Sequence, residues 1–146
     1  KFERTHRNKQ AYSTLWGQII EFAKKYNLTD KGFKYVSISL DSLDITEIDK
    51  CRFLIGITVP YSMEVPKGFG TLNIQAGLYS VFNIKGGNHE LNKIYRSVYL
   101  DWLPNSKYRL REQMTFEIYA NTPNKTSTDE LVTEIYLPIE AKQKIK

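Results

Sequence analysis

The sequence is poor in the residues that most often announce a function. It has one cysteine, Cys51, two histidines, His6 and His89, and no long apolar run. A single thiol cannot form an internal disulfide, and its scarcity favours a reducing compartment, so a cytoplasmic location is the expectation. Neither histidine stands at ligand spacing from the cysteine, so no metal site and no cofactor is expected. No apolar stretch approaches the roughly 20 residues that span a bilayer, which argues against a membrane partner. The opening Lys-Phe-Glu-Arg-Thr-His is not a signal peptide. Phosphate-loop spacing is absent; the nearest candidate is Lys85-Gly86-Gly87. No serine sits in a nucleophile-elbow pattern, and no Ser–His–Asp set stands out. Cys51 has no base near it in sequence and reads as a strand-start residue rather than a nucleophile. An initial Met is also missing, and Lys1 is read as the start of a fragment or processed chain.

What is present is a globular composition. The 146 residues fit one domain, 1–146, and 41% of them are apolar, enough for a core. The net charge of +5 is dispersed, with small excesses at Lys1 to Lys9 and Lys142 to Lys146. That spread reads as a solvated basic surface rather than a nucleic-acid face. The aromatic share is high at 13%, with ten tyrosines and two tryptophans. Tyrosines bury a ring while keeping a polar tip, which suits binding sites and ordinary cores alike.

Periodicity places the elements. Tyr12, Leu15, Trp16, Ile19, Phe22, Ala23 and Tyr26 form one helical stripe, so a helix is predicted over roughly Lys9 to Tyr26. Asn27 and Gly32 bracket its exit. Tyr35 to Leu40 alternates as a half-buried strand, residues 41–50 form a turn region, and Arg52 to Val59 is the next strand. Pro60 to Gly70 is a connection. One or two strands follow over 71–84. A second helix runs from an Asn88 N-cap to Leu103, with Leu91, Ile94, Tyr95, Val98 and Trp102 on its stripe, and Pro104 stops it. Strands at 114–121 and Val132 to Ile139 flank a polar loop. The order strand–helix–strand–strand occurs twice, in halves of about 1–62 and 70–140, which suggests an α+β fold: a tandem βαββ repeat with an antiparallel sheet and two main helices.

Alternation sorts the strand residues by face. Glu117 and Tyr119 share one face, and Phe116 and Ile118 share the other. If the aliphatic faces meet the helices, then Glu117, Tyr119 and Tyr136, joined by Tyr35, Leu54 and Gly56, line the opposite side of the sheet. A carboxylate ringed by aromatics suits a hydrophobic cation. Burial would also raise its pKa and fit it for acid–base work. From pattern alone, a solvated carboxylate on an open sheet face is the favoured reading of Glu117. Trp16 and Trp102 each fall on a helix stripe, as core packing or as a ligand wall.

Several short runs, taken together, carry a family resemblance. They are Cys51-Arg52, Gly77-Leu78-Tyr79-Ser80-Val81-Phe82, Trp102-Leu103-Pro104 with Ser106, Phe116-Glu117-Ile118-Tyr119 and Glu134-Ile135-Tyr136-Leu137-Pro138-Ile139, with Tyr12 and Trp16 in the first helix. In this order the chain resembles the GyrI-like effector-binding domain found at the C-terminus of many AraC-type bacterial transcription regulators. The resemblance implies a tandem βαββ fold with a ligand pocket between the halves and Glu117 as its central carboxylate. Tyr119, Tyr136, Tyr35, Leu54, Trp102 and Trp16 are the expected companions. It implies a lipophilic, often cationic effector, with DNA contacted only through an upstream helix-turn-helix domain outside this chain. Two departures stand out. The Gly-Pro-Tyr that often precedes each helix is replaced by Arg7-Asn8-Lys9-Gln10 and Gly86-Gly87-Asn88. Position 54 is Leu where relatives often carry Asp.

Three functions compete on this footing. The first is a ligand-sensing domain of a transcription regulator. The second is a stand-alone hydrolase of cyclopropane-containing compounds, with Glu117 as acid/base and Tyr119 or Tyr136 assisting. The third is a protein-binding module, as in gyrase-inhibitory relatives.

Overall fold

A computed structural model of the chain describes residues 5–6, 9–41, 52–86, 88–120 and 132–142. Helix α1 spans Lys9–Lys25 and follows its apolar stripe. Its last turn carries Lys24 and Lys25, cations that offset the partial negative charge of a helix C-terminus. Asn27 ends it in the left-handed conformation, φ 54°. The amide of Leu28 then bonds to the Ala23 carbonyl at 2.9 Å and that of Asn27 to the Lys24 carbonyl at 3.2 Å. This pair of reversed bonds is a Schellman cap, and the buried Leu28 packs in the same core as Ala23 to complete it.

The strands are β1 (Thr5–His6), β2 (Tyr35–Ser39), β3 (Arg52–Ile57), β4 (Tyr79–Lys85), β5 (Tyr108–Leu110), β6 (Phe116–Tyr119) and β7 (Val132–Ala141). All pairings are antiparallel, in the order β1-β3-β2-β6-β7-β4, with β5 extending β7. The fold is therefore α+β. At one end of the β2–β3 pair Arg52 grips Asp41, with its amide on Oδ2 at 2.6 Å and a guanidinium nitrogen on Oδ1 at 2.7 Å. The turn that follows Asp41, residues 42–50, and the expected loop at 121–130 lie outside the described residues.

Several expectations need correction. Strand β2 is buried on both faces rather than half-buried. It lies between β3 and β6, with Tyr35 in the α1 core on one face and Val36 and Ile38 packed with Phe116 on the other. Of the one or two strands expected over 71–84, one forms, β4, and residues 71–78 are not strand. Strand β5 was not anticipated: it is three residues long and, among the described residues, pairs only with Ile139 to Ala141 of β7.

Helix α2 spans Asn88–Ser97; the side chains of Asn88, His89 and Leu91 lie outside the description. Pro104 does not stop the helical run at Leu103. The run widens into a π turn over Val98–Trp102, in which the Leu103 amide reaches back to the Val98 carbonyl. A last turn then spans Leu103–Asn105. The widening has a local cause: proline lacks an amide and its ring crowds the carbonyl four residues back, here that of Leu100. Ser106 closes the run, its amide and hydroxyl both bonding to the Leu103 carbonyl, at 3.2 Å and 2.7 Å.

Two cores result on the helix side of the sheet. One joins α1 to β2 and β3 through Trp16, Ile19, Phe22, Ala23, Tyr35, Phe53 and Ile55. The other joins α2 to β4 and β7 through Tyr95, Val98, Ile84, Ile135 and Leu137. They meet along the central β2–β6 pair.

Candidate functional site

Register decides which side chains share a face. Glu117 stands opposite Ser37 on β2 and Ile135 on β7, and Tyr119 stands opposite Tyr35 and Thr133. Ile135 belongs to the α2 core and Tyr35 and Tyr119 to the α1 core. Glu117, Tyr119 and Tyr35 thus face the helices, not the opposite side of the sheet. Tyr136 lies opposite Phe116, and Leu54 opposite Ile38, so those two residues occupy the back face, as does Gly56 opposite Val36. The expected single ring of Glu117, Tyr119, Tyr136, Tyr35, Leu54 and Gly56 is therefore split between two faces. Alternation within one strand is legible in a sequence, but a one-residue offset between strands exchanges the faces.

Glu117 is 0% exposed. Its Oε1 accepts the Tyr95 hydroxyl at 2.8 Å, and its Oε2 accepts the Tyr119 hydroxyl at 2.7 Å. Burying a carboxylate costs free energy unless its oxygens are bonded, and donors on an ionised acceptor make the stronger kind of bond. The two phenols arrive from different cores, Tyr95 from the α2 core and Tyr119 from the α1 core. Glu117 is the polar tie across the seam between them. Trp16 stands edge-on to Tyr119 at 5.1 Å and to Tyr35 at 6.0 Å between ring centres. Tyr35 turns its hydroxyl away, to the Thr29 hydroxyl at 3.1 Å. The seam is closed: Tyr95 is 2% and Tyr119 3% exposed, and Trp16 is buried beside them.

The remaining expected residues sit elsewhere. Trp102 packs edge-on against Phe82 at 5.1 Å and nearly parallel to Tyr108 at 6.5 Å, in the α2 core. Tyr136 stacks on Phe116 at 4.8 Å on the back face, and its hydroxyl donates to Glu134 Oε2 at 3.2 Å. Burial first, then the charge and hydrogen bond of Glu134, push the Tyr136 phenol above its usual pKa. The sequence reading missed Tyr95 as a partner of Glu117, placing it only on a core stripe. The available signal was chemical: a tyrosine buried on a helix stripe needs an acceptor for its hydroxyl. Cys51 and the side chains of Tyr12 and His6 lie outside the description. Among the described residues, no helix is long and apolar enough to cross a membrane.

The chemistry available at the seam is that of a buried carboxyl group between aromatic rings. It can pair with a cation that carries apolar surface, and it can exchange a proton with a phenol 2.7 Å away. A family model for the GyrI-like small molecule binding domain matches residues 1–140 of the chain. No curated protein matches it. The chain belongs to the GyrI-like family of small-molecule-binding domains.

Proposed function

We propose, with GyrI-like membership as the premise, that this chain binds a lipophilic, cationic effector at Glu117. The observation that supports this most is the fully buried Glu117 carboxylate, held by Tyr95 and Tyr119 where the two cores meet. In the bound state the ligand's positive charge takes over from a phenol donor, and the rings of Trp16, Tyr35 and Tyr119 supply apolar and cation–π contact. Tyr95 joins Trp16, Tyr35 and Tyr119 as ligand-facing residues. Tyr136, Leu54 and Trp102 support the sheet and helix around them. The two halves act as one domain, read as a tandem βαββ repeat; the central β2–β6 pair supports that reading.

The wider role is that of the effector-sensing domain of a bacterial transcription regulator in the cytoplasm. DNA contact falls to a helix-turn-helix domain upstream of Lys1. Effector binding biases the orientation of that domain through its different affinity for the two states.

Calorimetric titration with methyltriphenylphosphonium tests the site. The expected result is saturable binding that weakens about tenfold or more in Glu117→Gln, which keeps the volume and an acceptor but removes the charge. Equal affinity in both proteins would remove Glu117 from the site. The 2.7 Å bond from Tyr119 to Glu117 favours one second reading, a hydrolase of cyclopropane-containing compounds in which this pair moves a proton. Turnover that disappears in both Glu117→Gln and Tyr119→Phe would select it.

A further inference from the structure

A cavity of about 530 Å³ lies along the second edge of β3, and neither Glu117 nor any of Tyr35, Tyr95, Tyr119 and Trp16 lines it. On one side β3 pairs with β2 along Phe53 to Ile57. On the other, among the described residues, it pairs with β1 only at Arg52 and Phe53. The 58–74 connection lines the cavity together with Leu54 to Ile57 of β3. The space is walled by Ile19 and Phe22 of α1, Val36 and Leu54 of the back face, and Leu72 and Ile74 of the connection. The Phe22 and Phe69 rings, 4.6 Å apart, tie the connection to α1.

Three observations converge on a ligand of one kind. Among the described residues, no Asp, Glu, Lys, Arg or His lines the cavity. An ion entering it would lose hydration with no counter-charge to replace it, whereas a neutral apolar molecule gains by burial. Second, Leu72 and Ile74 are 45% and 39% exposed although both are large aliphatics at the wall. Apolar surface grouped at a cavity is surface that a ligand can cover. Third, Gly56 forms part of the lining, and a Cβ built on it meets nothing within 4 Å. A glycine inside a strand forgoes side-chain packing, and here it leaves open the volume its neighbours surround. The volume falls in the roughly 300–1,000 Å³ range of small-molecule sites.

We propose that this cavity is a second small-molecule site, for an uncharged, predominantly apolar ligand whose polar group meets Thr71 or Asn73. It differs from the Glu117 seam in position and in the charge it accepts.

The test uses N-phenyl-1-naphthylamine, a neutral probe whose fluorescence rises in apolar surroundings. The full chain is expected to bind it saturably. Gly56→Leu fills the open volume and should weaken binding about tenfold or more with an unchanged melting temperature. Leu72→Asp places a charge at an exposed wall position and should weaken binding similarly, which keeps the test decisive if Gly56→Leu fails to fold. Saturating methyltriphenylphosphonium should not displace the probe. Absence of saturable fluorescence, binding that survives both substitutions, or displacement by the cation overturns the second site. The first two results leave cation binding at Glu117 untouched, which the calorimetric titration measures separately.

Discussion

At the scale of single residues, the molecule treats its polar groups differently on the two faces of the sheet. Glu117 on the helix face is bonded by two phenols and sealed. On the back face Tyr136 bonds to Glu134, a neighbour two residues away on the same strand. Burial chiefly, with Glu134 adding its charge and its hydrogen bond, favours the protonated phenol in the folded chain, so the folded pKa lies above the usual 10.0. The resulting stabilisation is complete below the unfolded pKa and is lost as pH rises through the higher folded value. Urea midpoints followed from about pH 9 to about pH 12 should therefore fall more steeply for the wild type than for Tyr136→Phe. Parallel curves would mean that the phenol titrates alike in both states. Tyr95 belongs to the same scale. Its place on the α2 stripe was readable, but its partner was not, because no local pattern links a helix residue to a carboxylate 22 positions on.

At the scale of elements, the legible parts were those whose causes are local. The α1 stripe, the left-handed exit at Asn27 and the alternation of β3 and β6 follow from residues close in sequence. What depended on distant partners was not legible. The faces of β6 and β7 were paired wrongly because register is fixed by β2 and β4, far away in the chain. Strand β5 is too short to show a period and exists because β7 runs past the end of β6. The π turn before Pro104 reflects a choice between stopping and widening that the proline alone does not settle. Helix α1 also carries a residue its own physics disfavours. Gly17 lies mid-helix, and a Cβ there meets nothing within 4 Å. Gly17→Ala should stabilise the chain by about 0.5–1 kcal/mol, through the backbone entropy removed from the unfolded state. A urea midpoint that stays level or falls would show that the position carries a constraint its packing does not reveal.

At the scale of the whole molecule, the sheet order brings two helix-covered cores together at β2 and β6, and the one fully buried carboxylate among the described residues sits at that join. If the effector binds at Glu117 as proposed, its entry is a conformational event. With Glu117 0% exposed and Tyr95 and Tyr119 nearly so, no solvent path leads to the carboxylate while both cores stay docked. An open form must appear first, and its population scales the apparent affinity. Association rates in stopped flow should then rise with ligand concentration to a plateau set by opening, rather than climb linearly. The Tyr95 hydroxyl is one of the bonds that opening breaks, and it ties the α2 core to Glu117. Such a bond to a charged group contributes about 1.5–3 kcal/mol. Tyr95→Phe should therefore raise the plateau by about tenfold or more and lower the urea midpoint together, since both effects come from the same lost bond. Tyr99→Phe is the control. That hydroxyl lies 3.4 Å from Thr115 rather than on Glu117, and its loss should leave the plateau where it was. A linear dependence on ligand concentration in the wild type would mean that the seam admits ligand without opening, and the two docked cores would then be a scaffold for the site rather than its gate.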